Sequence, residues 1–521
     1  MIRRFFYGLL CLLSLASLAT AQTLQIDQLP ARNLTNVVGH DANGYVGKMA
    51  VTTPYLGVTA TRGRIAYQSL GANSGTMSQT MHWSRDRMVD PVVIFGNFYV
   101  TNGAGEVTTG PGTLGASICV GDFTRCNVGS NYTLCGTGPR TIATTIGLNT
   151  IQCSGLTIPI NSRFYVRMLQ TNASGAIFTQ ISPQSIPDQD AAPDCWTTGN
   201  LSVTDMLTSG SFANNQCGSY TVFPLGIASI TTRPSVVLIG DSKIQGGVDY
   251  ATDYTGDIGN VARSIGPAFG YSNLGIGASL SAQYLANART FRDAFVSTYF
   301  SHFIDNYCIN DLATATTAAQ CAANRASIAA LYPGLIGFGT TIEPSLLSTD
   351  NFTTLANQST PNAKIAAFNQ LVRAGIAGEK GVFDIAWAID PTRSNIWPVA
   401  PNPYATALSP VFSGTGSISV ATPGILTITA CTVCTLPIGS SIVGTNVAPG
   451  TFIAGYGTNV TSLGVCTATC TYTLGTRPAS AVASTTITAG GFFTTDGLHL
   501  TPPGNVWLKN TGVVNPALIT R

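Results

Sequence analysis

Charge is scarce in this chain. Of 521 residues, 25 are Lys or Arg and 23 are Asp or Glu, for a formal net charge of +2. With neither a basic stripe nor an acidic run, nothing draws the chain to nucleic acid or to anionic lipid. Long apolar runs are lacking beyond the first 21 residues, so no membrane span is expected in the mature protein. Histidine is rare, at four residues. The sequence has no His-Glu-x-x-His, no Walker loop and no Gly-x-Ser-x-Gly elbow, which argues against a metalloprotease, a P-loop enzyme and the common α/β-hydrolase arrangement. No metal and no cofactor are expected.

Small and hydroxylated residues fill the space that charge leaves. Gly accounts for 55 positions, and Thr, Ser and Ala are abundant, a composition of β-rich extracellular proteins. Arg3 and Arg4 precede an apolar run from Phe5 to Leu18 that closes with Ala19-Thr20-Ala21. This pattern reads residues 1–21 as a signal peptide, and a secreted or periplasmic location follows. The run is too short for a spanning anchor. Cysteine usage agrees: six lie at Cys119, Cys126, Cys135, Cys153, Cys195 and Cys217, two at Cys308 and Cys321, and four at Cys431, Cys434, Cys466 and Cys470. An even count in each segment is expected of disulfides closed within domains in an oxidising compartment. The last four also fit the C-x2-C and C-x3-C spacing of a zinc site, which would need thiolates kept reduced.

The chain is too long for one core. Residues 22–232 alternate short apolar runs, such as Arg163 to Arg167, with Gly, Asn, Ser and Pro clusters, the pattern of a β-sandwich. His40 and His82 stand alone there and read as structural. At Ser235 to Ile239 a continuous β-branched run marks a strand buried on both faces, and an α/β domain begins at 233. Helical patterns over Ala282 to Phe300, Ala313 to Tyr332 and Ala363 to Ala377 interleave with strand patterns over His302 to Tyr307, Gly334 to Ile342 and Gly381 to Trp387. This rhythm predicts a three-layer α/β/α sheet. It stops near Ala405, where an uncharged Thr, Val, Gly and Ser stretch runs to 490, and the α/β pattern resumes over 491–521. Residues 405–490 are therefore expected to be a small inserted β domain.

Three residue types in separate places could form a hydrolytic centre. Ser242 follows the buried strand in Ile239-Gly240-Asp241-Ser242, at the strand end where open α/β sheets place their sites. A serine hydroxyl needs a base and a group that orients the base. Asp496-Gly497-Leu498-His499 sets a carboxylate and an imidazole three residues apart, close enough on one turn for Asp496 to hold one ring nitrogen while the other faces a serine. An oxyanion needs donors. The Asn273 to Ala278 loop and the side chain of Asn310 in Tyr307 to Asp311 could supply them.

Taken in order, GDS, NLGIGA, a strand ending in IND and a late DGLH resemble the four blocks of the SGNH (GDSL-type) hydrolases over about 234–404 and 491–521. The segments Thr340 to Pro344 and Ile365 to Asn369 resemble that family's later strand and helix. The resemblance implies a flavodoxin-like fold and a serine esterase. Ser242 is then the nucleophile, with Asp496 and His499 completing the triad. The oxyanion hole combines the Ser242 N–H, the N–H of Gly277 or Ala278, and Asn310. Two positions depart from the family, which usually has Gly at Cys308 and places the oxyanion glycine at Ala278; Cys308 could pair with Cys321. Export and low surface charge suggest an acylated glycan as substrate, with a small ester or lipid close behind. The competing expectation is a glycan-binding or surface adhesion protein with a degenerate hydrolase domain. Oligomeric state has no signature in the sequence.

Overall fold

The computed structural model describes residues 36–40, 46–50 and 53–521, except 70, 72, 137–140, 179–193, 214–215, 218–220, 250–254, 399–411, 422–423, 437, 449, 463 and 476–479. The signal-peptide expectation for 1–21 and the boundary at 405 fall outside the described residues. The chain divides into Met1–Thr53 and Pro54–Arg521. In the first unit, Asn36–His40 pairs antiparallel with Val46–Ala50.

The second unit is α/β. Between Tyr55 and Thr231 the chain forms two larger antiparallel sheets beside three two-stranded ones. One runs Gly147–Gln152, Val92–Asn97, Gly226–Thr231, Tyr55–Val58; the other is built on Gly112–Val120, Arg163–Thr171, Gly75–Trp83 and Cys195–Gly199. Alternate residues from both sheets, including Phe95, Ile151 and Ile227 against Leu114, Phe164 and Val166, meet in one core.

A six-stranded parallel sheet follows, in the order Glu379–Phe383, Ile336–Thr340, His302–Asp305, Ser235–Ile239, Gly270–Asn273, Gly63–Arg64. Period-two alternation sorts the Ser235–Ile239 side chains into two cores. Val237 and Ile239 pack with Phe295, Ile328 and Phe368 on one face. Val236 and Leu238 pack with Ile265, Ile385 and Leu508 on the other. Each such side chain contributes roughly 1.5–3 kcal/mol by leaving water, which explains the unbroken apolar run. The sixth strand, Gly63–Arg64, comes from within the antiparallel region, and Val58, Ile94 and Phe98 of that region belong to the first of these cores.

Two elements differ from the sequence reading. The helix expected over Ala282 to Phe300 is two helices, Ser281–Ala286 and Thr290–Tyr299. The break lies where Glu106 reaches in: its carboxylate accepts the N–H of Phe291 at 3.0 Å and of Arg292 at 2.6 Å, capping the second helix. The strand expected to reach Trp387 ends at Phe383, because Asp384 accepts the Trp387 N–H and starts the helix Ile385–Ile389.

Ser413–Ser419 through Val482–Gly490 form a separate six-stranded antiparallel sheet with its own core of Phe412, Leu426, Ile442, Tyr472 and Ile487. Its first and last strands pair, so Ser413 lies opposite Thr488. The chain then enters the helix Pro502–Thr511, capped by Thr501.

Candidate active site

The Ser235–Ile239 strand runs into a tight turn at Gly240 and Asp241. Asp241 caps the helix Ser242–Gln245 by accepting the Lys243 N–H at 3.1 Å. Its burial pushes the carboxyl up to about 7, against the lowering effect of that N–H and of the Lys243 charge. Ser242 thus stands half-buried as the first helical residue at the carboxyl end of the strand.

The late chain comes back to it. Asp496 Oδ1 accepts the N–H of Leu498 at 2.9 Å and of His499 at 2.8 Å, folding the DGLH segment into a turn. Its Oδ2 lies 2.7 Å from His499 Nδ1. His499 Nε2 lies 2.7 Å from Ser242 Oγ across 257 positions of sequence. An ionised carboxylate only accepts, so Nδ1 carries the proton and Nε2 is left to take one from the hydroxyl. Burial works to raise the Asp496 pKa. The hydrogen bond and charge of His499, with the two backbone N–H groups, overcome it and hold the carboxyl well below the usual range. Gly247, absent from the sequence reading, is what the ring packs on: a Cβ there would stand 3.0 Å from His499 Nε2.

The remaining expected residues form a second group. The Gly275 to Ser279 loop lies on the Ser242–Gln245 helix, with the Gly275 Cβ position 2.5 Å from Gln245 N and that of Gly277 2.9 Å from Gln245 Oε1. Ala278 adopts φ +59, the left-handed region that favours glycine, and is exposed. Among the described residues no protein acceptor takes the N–H of Gly277 or Ala278. Asn310 Nδ2 donates to Ser279 O at 3.1 Å, and the neighbouring Asp311 accepts from the N–H and Oγ of Ser281 at 3.0 and 2.6 Å. The loop and the Asn310 helix are therefore fastened to each other.

Cys308 carries φ +116, which accounts for glycine being the easier residue there. It does not pair with Cys321: both are buried thiols, and burial raises the Cys308 thiol well above its ordinary value. With Asp311 they form the one metal-spaced cluster among the described residues. Both Asp311 oxygens are occupied by Ser281, so the trio reads as packing and a helix cap. Ten further cysteines form disulfides 119–126, 135–153, 195–217, 431–434 and 466–470, the last two in place of a zinc site. His82 is buried between Thr61 O at 2.7 Å and Thr80 Oγ1 at 2.8 Å, and burial lowers its pKa to about 3. The His40 side chain lies outside the described residues. A cavity of about 290 Å³ beside Pro344, Asn369, Arg373 and Arg393 is lined by none of the expected site residues.

No family model matches the chain, and no curated protein matches it. Among solved structures, it is similar to a lipolytic protein of the G-D-S-L family from Veillonella parvula, at 13% identity, 30% of this chain, 81% of that one and a TM-score of 0.24. A carbohydrate acetylesterase from Sinorhizobium meliloti aligns at 16% identity over 27% of this chain and 79% of its own, with a TM-score of 0.21. A carbohydrate esterase family 2 enzyme with a carbohydrate-binding domain, from Corynascus thermopiles (Myceliophthora fergusii), aligns at 12% identity over 64% and 90%, with a TM-score of 0.23. Scores this low carry no functional conclusion, so the weight falls on the side chains.

Proposed function

We propose that the chain is a secreted serine esterase of the SGNH type, acting on acyl esters of a glycan, with O-acetyl groups the first candidate and a small ester or lipid the second. The observation that carries this reading is the unbroken path Ser242 Oγ, His499 Nε2, His499 Nδ1, Asp496 Oδ2, with 2.7 Å at each step from one side chain to the next. His499 takes the Ser242 proton as the hydroxyl oxygen attacks the ester carbonyl, and Asp496 stabilises the imidazolium. The N–H groups of Ser242 and of Gly277 or Ala278, with Asn310 Nδ2, are the donors assigned to the oxyanion. His499 returns the proton to the leaving alcohol, and water repeats the cycle on the acyl-enzyme.

The assigned layout is a sandwich over 22–232, the hydrolase over 233–404 and 491–521, and an insert over 405–490. Five disulfides support an oxidising compartment. Among the described residues no helix is long and apolar enough to cross a membrane. The test is p-nitrophenyl acetate hydrolysis: Ser242→Ala and His499→Ala are expected to lose at least about 10³-fold in kcat, and an unchanged rate defeats the proposal.

A further inference from the structure

The turn that carries Asp496 and His499 is pinned from outside itself. Lys243, next to the nucleophile, has a side chain only 3% exposed, and its ammonium donates to Leu498 O at 2.6 Å. Glu343 Oε2 lies 3.1 Å from the same nitrogen, with its side chain 1% exposed, as an ion pair and not an aligned hydrogen bond. The other Glu343 oxygen accepts from Asn260 Nδ2 at 2.7 Å. One residue earlier, Gly497 O accepts from Trp397 Nε1 at 2.9 Å and from the Leu346 N–H at 3.0 Å. The Trp397 ring centre is 5.9 Å from the Lys243 ammonium.

Both carbonyls that precede His499 are thus occupied, one of them by the side chain that follows Ser242. A buried ion pair is a poor source of stability, because its desolvation offsets its attraction and apolar residues of similar size serve as well. What apolar residues cannot do is hold a carbonyl at a fixed place. We propose that Lys243 and Glu343 are positioning residues, an ion-pair latch that references the His499 turn to the nucleophile helix, so that the ring and the hydroxyl stay in register even though 255 positions separate Lys243 from Leu498. This rests on the reading of Ser242 and His499 as nucleophile and base.

The experiment compares full-length wild type, Lys243→Met, Lys243→Met with Glu343→Gln, and Ser242→Ala. Readouts are kcat and KM for p-nitrophenyl acetate, the rate at which a fluorophosphonate labels Ser242, and Tm. Lys243→Met leaves a buried carboxylate alone and is expected to lower Tm and to cut kcat and labelling about 10²-fold, with KM within about twofold. The double variant removes both charges and keeps the Asn260 hydrogen bond. It is expected to regain Tm while kcat and labelling stay low. A double variant with wild-type kcat and labelling overturns the latch, because the pair was then only a matter of charge balance; it decides the question even where Lys243→Met fails to fold. If Ser242→Ala hydrolyses and labels like wild type, the esterase reading itself falls. An inactive Ser242→Ala beside a fully active double variant removes the latch alone.

Discussion

The antiparallel sandwich and the Ser413–Gly490 sheet both lie outside the parallel sheet, and they are attached to it in opposite ways. The sandwich region lends the parallel sheet its edge strand, Gly63–Arg64, and shares a core with it through Val58, Ile94, Phe98 and Leu225. Arg64 reaches Gln245 O at 3.1 Å, at the end of the Ser242–Gln245 helix, and Glu106 caps Thr290–Tyr299. The later sheet closes its own core, and its ends meet where Ala489 N donates to Phe412 O at 3.1 Å. A region that shares its core is part of the fold it touches; one that closes its own core is expected to be removable with the host left folded.

The largest expected effect is deletion of residues 54–232. The 233–521 region then lacks part of one face of its core and an edge strand, and no folded protein is expected by circular dichroism. A folded, active fragment would break the comparison. Next come the disulfides. In the chain-entropy model, removing Cys135–Cys153, 18 residues apart, costs about 3 kcal/mol, against about 2 kcal/mol for Cys431–Cys434, only 3 apart. Denaturant midpoints of the paired Cys→Ser variants measure this, and the second pair is expected to leave esterase activity unchanged.

Acid sharpens the contrast further. His82, in the sandwich, has a folded pKa near 3 against an ordinary 6.5. The unfolded chain therefore binds more protons between those values. The stability this group contributes is present above pH 6.5 and is lost as pH falls, by about 2 kcal/mol at pH 5. The later sheet has no histidine. His82→Gln should flatten the Tm profile between pH 7 and 5; an unaltered slope counts against the assignment. The smallest effect is expected from replacing 413–488 with a short Gly-Ser linker: p-nitrophenyl acetate turnover within about threefold of wild type, since the ends already meet. A loss as large as that of Ser242→Ala would make the insert part of the site.

Local signals were readable in the sequence, and contacts across long separations were not. The run Ser235 to Ile239 announces a strand because both faces are buried. Asp496 and His499 announce each other because one turn brings them together. Gly63–Arg64 has two residues and no period, and its partner strand begins at Gly270, so no window contains the signal. The same holds for Glu106, which breaks a helical pattern nearly two hundred positions away. Lys243 and Trp397 act on carbonyls, which have no side-chain signature at all. Asp384 was legible in principle as a capping residue, but the apolar run around it read as strand.

The order in which the side chains are made has its own consequence. Ser242, its helix, the Gly275 to Ser279 loop and Asn310 all precede His499 in the polypeptide, and His499 follows the whole Ser413–Gly490 sheet. If Ser242 and His499 act as proposed, a chain that ends before residue 499 holds the hydroxyl without its base and is silent toward esters. On that reading the C-terminal segment, by docking on the Ser242 helix, is what arms the hydroxyl.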